Sequence, residues 1–126
     1  MNKLIHKPTD GELEILQILW KLGPSTVKAV NELLNEHKDV GYTTTLKMLQ
    51  IMFEKGICVR EAEGKLHIYK PAIKEQQVKK NYLKDMIDHV FDGSPMEMVM
   101  QTLGNYKASA DEINDLKKLL KDLESK

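Results

Sequence analysis

The sequence predicts a mainly α fold with one small β-hairpin: a compact N-terminal domain followed by a purely helical region. Three observations carry that expectation. Helix-start signals recur just ahead of apolar residues spaced at i, i+3, i+4 and i+7. A single stretch, "GICVREAEGKLHIYKP", alternates in character about a glycine turn. Beyond Lys74 only helical periodicity remains. The 126 residues suffice for one domain and an appendage, and 41% hydrophobic with 30% charged residues describes a folded chain rather than a disordered one.

The first helix starts in "TDGELEILQILWKLG". Thr9 and Glu12 form a capping box, Leu13, Leu16 and Trp20 make a stripe, and Gly23 ends the run. The second follows in "PSTVKAVNELLNEH", with Ser25 or Thr26 as cap and Val27, Val30 and Leu34 on one face. The short loop between them forces the two helices to pack together.

The third helix lies in "GYTTTLKMLQIMFEKG". Thr45, Met48, Leu49, Met52 and Phe53 fall on the buried face, and Lys47, Gln50, Ile51 and Glu54 point the opposite way. Thr43 and Thr44 stand at the helix start. Two readings of these hydroxyls compete: ordinary N-capping, or a helix N-terminus whose free N–H groups and hydroxyls form a phosphate-binding surface.

The hairpin places Ile57 to Arg60 in one strand, a turn at Glu63-Gly64, and Leu66, Ile68 and Lys70 opposite His67 and Tyr69, stopped by Pro71. Three helices followed by a hairpin is the order of a winged helix-turn-helix, whose third helix enters the major groove while the wing lies along the backbone. The expected division is a DNA-binding domain over 1–73 and a helical dimerisation domain over 74–126.

In that second part, Leu83, Met86, Ile87, Val90 and Phe91 form one stripe, closed by Gly93. A box from Ser94 to Glu97 with Pro95 at the first helical position opens the next helix, with Met96, Val99, Met100 and Leu103 as its stripe. A box from Ser109 to Glu112 opens the last, with Ile113, Leu116, Leu120 and Leu123. About 50 residues of short helices bury too little surface to stand alone, so pairing with a second copy is expected. The methionines could also line an adaptable partner groove, but core or dimer packing explains them more simply.

Charge and chemistry exclude other classes. Lys plus Arg and Asp plus Glu stand at 19 each, and 1–73 holds ten bases against nine acids, so a strongly basic footprint is missing. DNA contact must come from a few placed charges helped by dimerisation. One cysteine, Cys58, excludes an internal disulfide and fits a reducing, cytoplasmic setting. Within a predicted strand it reads as a buried small hydrophobe rather than a redox sensor. His6, His37, His67 and His89 are scattered with no i, i+4 pair, so neither an enzyme nor a metal or other cofactor is expected. No apolar run of 18 residues suggests membrane insertion.

The pieces "DGELEILQILW", "YTTTLKMLQIMFEKG", "EGKLHIYKP" and "SADEINDLKKLL" together resemble the penicillinase/methicillinase repressor family (BlaI/MecI type) over nearly the whole chain. The resemblance implies a homodimeric transcriptional repressor that binds a palindromic promoter operator in double-stranded DNA. It implies groove-facing roles for Thr43, Thr44, Leu46, Lys47 and Gln50, a wing-tip base at Lys65 and a backbone contact at Tyr42. Many relatives carry arginine near Gln50 and Ile51, so the operator sequence does not transfer. It also implies a sensor-linked protease as partner, cutting an Asn-Phe bond in the best-known members. Aligned through "MVMQTL", that place here is Gln101-Thr102. The alternative function is a winged protein-interaction module that no longer binds DNA specifically, which the neutral charge would suit.

Overall fold

The computed structural model describes residues 7–126 and runs α1 (Asp10–Leu22), β1 (Ser25–Thr26), α2 (Val27–Leu34), α3 (Tyr42–Lys55), β2 (Cys58–Glu63), β3 (Leu66–Pro71), α4 (Glu75–His89), α5 (Pro95–Gly104) and α6 (Ala110–Glu124). Two compact units result, one ending at Tyr82 and the other Leu83–Lys126, so the division falls within α4. No described helix is long and apolar enough to cross a membrane.

Local signals place the helix ends. The Thr9 hydroxyl accepts from the Glu12 N–H while the Glu12 carboxylate accepts from the Thr9 N–H, and Gly23 closes α1. Thr26 caps α2 by accepting from the Ala29 N–H. Thr26 also belongs, with Ser25, to a two-residue strand that the capping signal concealed. That strand pairs antiparallel with β3 and gives a three-stranded sheet in the order β1-β3-β2.

The hairpin is longer than its alternation suggests. Glu63 pairs with Leu66, so the turn is Gly64-Lys65 rather than Glu63-Gly64, and Pro71 pairs with Cys58 as the last residue of β3. Gly64 takes φ 63 at the first of the two loop positions, which admits glycine without strain.

The core of the first unit joins Ile15, Leu16 and Leu19 of α1 to Val27, Val30 and Leu34 of α2, Leu49 and Met52 of α3, and Ile57, Cys58 and Tyr69 of the sheet. The α1 stripe therefore turns on Ile15 and Leu19, with Leu13 and Trp20 only half-buried. Phe53 departs from the expected buried face: it is exposed, and the Arg60 guanidinium lies 4.0 Å from its ring centre. In β3 the inward residue is Tyr69, and Leu66 faces out.

Two contacts bring the start of α4 onto this unit. The Trp20 indole N–H donates to the Ile73 carbonyl (3.1 Å), and the Tyr82 hydroxyl donates to the Pro8 carbonyl, with Val78 buried between these points in sequence.

In the second unit, capping is as expected for α6, where Ser109 and Glu112 form a full box. At α5 only the Ser94 hydroxyl contributes, accepting from the Glu97 N–H. Beyond Val78 no residue is buried.

Candidate nucleic-acid interface

The site is built on α3. Its apolar face fixes the rotation of the helix: Thr45, Leu49 and Met52 are buried, so Lys47, Gln50 and Ile51 must face out. The axial position is fixed at both ends by polar contacts. At the C-terminal end, Gly56 closes α3 with φ 83, and the Lys55 ammonium lies 2.7 Å from the Glu12 carboxylate. Burial pushes the Glu12 carboxyl up, but hydrogen bonds from Lys55 and from the Thr9 backbone outweigh it and leave it below its ordinary value.

At the N-terminal end the threonines answer a different question from the one capping poses. The N-cap is Gly41, with φ -72 and ψ 157, and no side chain caps the helix. Tyr42, Thr43 and Thr44 are thus the first three helical residues, all exposed, and among the described residues none of their N–H groups has an acceptor. Only with Thr45 does the backbone ladder begin, its N–H donating to the Gly41 carbonyl. The result is an open helix start ringed by two hydroxyls and a phenol, with the partial positive charge of the helix dipole behind it.

Of the residues expected to face the groove, Thr43, Thr44, Lys47 and Gln50 are exposed on this surface and Tyr42 stands beside them at 49% exposure. Leu46 differs. It is half-buried and packs against the core, next to the buried Thr45. Lys65 is exposed at the tip of the β2–β3 hairpin. Among the described residues neither Lys47 nor Lys65 has an ion-pair partner, so both ammonium groups are open to an anion.

Sequence reading missed the residues that hold this surface in place. Asn31 and Asn35, one turn apart on the polar side of "NELLN", reach the turn before α3. Arg60, the only arginine in the chain, bridges the wing to α3: it covers the Phe53 ring and donates to the Tyr69 hydroxyl at 3.4 Å. The i, i+4 spacing of the asparagines was a visible signal; the Arg60–Phe53 pair had none, since it depends on the strand following the helix at a particular angle.

The sequence model of the family described as Penicillinase repressor matches residues 8–122. The chain belongs to that family. The penicillinase repressor of Bacillus licheniformis is 27% identical over 120 residues, covering 95% of this chain and 94% of that protein. The methicillin resistance regulatory protein MecI of Staphylococcus aureus is 22% identical over 120 residues, covering 95% and 98%. Among solved structures, the monomeric form of Bacillus licheniformis BlaI in complex with the blaP half-operator aligns with TM-score 0.50 at 28% identity, covering 57% of this chain and 88% of that one. The family is one of repressors and not of enzymes, and its DNA-binding domain is a winged helix like the first unit described above.

Among the described residues no group of three His, Cys, Asp or Glu side chains could hold a metal ion. His6 lies outside the described residues. Cys58 is buried, and desolvation pushes its thiol up to about 11, which keeps it protonated and unreactive at neutral pH.

Proposed function

We propose that this family member is a cytoplasmic transcriptional repressor that binds a palindromic promoter operator as a homodimer, α3 in the major groove and the β2–β3 wing along the backbone. The observation that carries this reading is the open start of α3, with Lys47 and Gln50 on the adjoining outer face. Helix N–H groups and hydroxyls suit phosphates, while Lys47 and Gln50 are long enough to reach base edges. Lys65 suits a phosphate at the wing. The solved BlaI relative sits on a half-operator as a monomer, and by that likeness one copy of this chain takes one half-site.

In this reading 1–73 supplies the DNA-binding function and 74–126 the dimer contacts. Support for pairing comes from Leu83, Met86, Val90, Met96, Val99, Met100, Leu103, Ile113, Leu120 and Leu123, which are all exposed, and from Ile87 and Leu116, which are only half-buried. So much apolar surface on so few residues is characteristic of an interface. A sensor-linked protease is a further candidate partner, but with Gln101-Thr102 in α5 where the family has its Asn-Phe bond, release of repression here calls for a protease of different specificity or for a different signal.

The test is selection of duplexes from a random-sequence library by the full-length protein, followed by competition with a scrambled duplex. Recovery of a palindromic sequence bound with a dimer's stoichiometry is the expected result. Binding that is indifferent to sequence would favour the protein-interaction module instead.

A further inference from the structure

The run Tyr42-Thr43-Thr44-Thr45 offers α3 several competing starts. Threonine is a good N-cap, so Thr43 or Thr44 could each cap a shortened helix with its own hydroxyl and consume the very N–H groups that stand open at the Gly41 start. Something must hold the longer helix, and Gly41 has no side chain with which to do so.

The end of α2 holds it. The Asn31 amide donates both to the Val40 carbonyl (2.9 Å) and to the Thr45 hydroxyl (2.8 Å). The Asn35 amide donates to the Val40 carbonyl (2.7 Å) and to the Asn31 carbonyl (2.8 Å), while its oxygen accepts from the Val40 N–H (3.1 Å). Thr45, fully buried, turns its own hydroxyl proton to the Gly41 carbonyl (3.3 Å). Both backbone groups of Val40, the residue before the N-cap, are therefore fixed from α2, and so is the first buried side chain of α3.

We propose that Asn31 and Asn35 are positioning residues for operator binding, which clamp the α2–α3 turn so that α3 begins at Tyr42 and presents uncapped N–H groups to DNA. The proposal rests on the reading of α3 as the groove helix. Asn35 is exposed, where water competes for each of its bonds, so its effect on global stability is small. Its effect on where the helix starts is not, because the competing starts differ by only a residue or two.

The experiment uses full-length Asn31→Ala and Asn35→Ala proteins, the duplex selected by the parent, and a scrambled duplex of the same length. Each variant should bind both duplexes roughly three- to tenfold more weakly, as loss of one or two net hydrogen bonds to phosphate implies, while its preference for the selected duplex stays within about twofold of the parent's. Backbone carbon chemical shifts of Tyr42 to Thr44 should move from helical toward coil while those of Leu46 to Met52 stay helical. Asn35→Asp, which keeps the acceptor for the Val40 N–H but turns a carboxylate oxygen toward the Val40 and Asn31 carbonyls, should not recover the loss. Should Asn31→Ala fail to fold, Asn35→Ala decides alone.

Helical shifts retained at Tyr42 to Thr44, or parental affinity for both duplexes, would overturn the clamp. A Lys47→Ala control separates the two layers. If it leaves the selected duplex bound as by the parent, the groove reading fails and takes the proposal with it; if only the asparagine variants are parent-like, the clamp alone fails.

Discussion

Gly41→Asp should stabilise this protein and weaken its hold on DNA at the same time. Gly41 already has the extended backbone of an N-cap, φ -72 and ψ 157, and a Cβ added there meets no atom within 4 Å. An aspartate could thus accept from the free Thr43 or Thr44 N–H without distorting the turn. Asp exceeds Gly as a cap by a few tenths of a kcal/mol, and its charge at the positive end of the helix adds about 0.3–1 kcal/mol, so a gain of about 0.5–1 kcal/mol is expected. For a unit of this size that raises Tm by roughly 2–8 °C. On DNA the same carboxylate occupies the donors and opposes a phosphate. Losing a charge-assisted hydrogen bond of about 1.5–3 kcal/mol weakens each half-site by roughly tenfold or more. Cancelling one cation equivalent per half-site also lowers the salt slope of the dimer by about 1.8. Calorimetry and salt-dependent binding of the selected duplex read the two effects. A variant that is stabilised yet binds with parental affinity and slope would show that no phosphate approaches this helix start; one that is destabilised would refute the capping geometry itself.

Lys47→Ala should weaken the selected duplex by about 1–3 kcal/mol and relax its sequence preference, whereas Lys65→Ala should weaken all duplexes alike and lower the dimer's salt slope by about 1.8; competition binding at several salt concentrations tells them apart. Glu12→Gln removes the charge that Lys55 faces and should destabilise the first unit by about 1–2 kcal/mol, since Lys55 can partly recover its hydration. Because folding lowers the Glu12 carboxyl below its ordinary 4.5, its contribution is present above that pH and fades as pH falls through the folded value, so denaturation curves of the glutamine variant should show a flatter acid limb than the parent's. A fragment ending at Tyr82 should sediment as a folded monomer, while one ending at Pro71 loses Ile73 and Val78 and should melt lower. A protease specific for the family's Asn-Phe bond should leave Gln101-Thr102 uncut, as Thr102 offers no aromatic ring to bury and sits within α5 with its hydroxyl on the Met98 carbonyl (2.8 Å); intact mass after incubation checks it.

What could be read from the sequence was whatever a single element decides. Thr9 with Glu12 and Ser109 with Glu112 announce helix starts because the partners lie three residues apart, and the outer face of α3 follows from the periodicity of Thr45, Leu49 and Met52. What could not be read depends on two elements meeting. Phe53 has the spacing of a core residue, but the wing brings Arg60 over it and leaves it exposed. Leu46 holds a groove-facing place by family resemblance, but it packs against the core and is half-buried. The threonines misled for a related reason: propensity ranks them as caps, and only Asn31 and Asn35, reaching across from α2, make glycine the cap instead.

Zero net charge and an uncovered C-terminal unit belong to one design. With Lys plus Arg balanced by Asp plus Glu, a single winged unit has few cations to spend on counterion release, and one half-site must bind weakly. In the proposed dimer, useful affinity would come from joining two units, which turns the second half-site into an intramolecular event at an effective concentration near millimolar. The joining elements in that reading, besides the end of α4, are helices of 10 and 15 residues, α5 and α6, with no buried side chain within one chain and marginal stability alone in water. In that reading their order depends on association. Repression built this way would be lost by any event that separates the C-terminal helices, even with every residue proposed to contact DNA folded and in place.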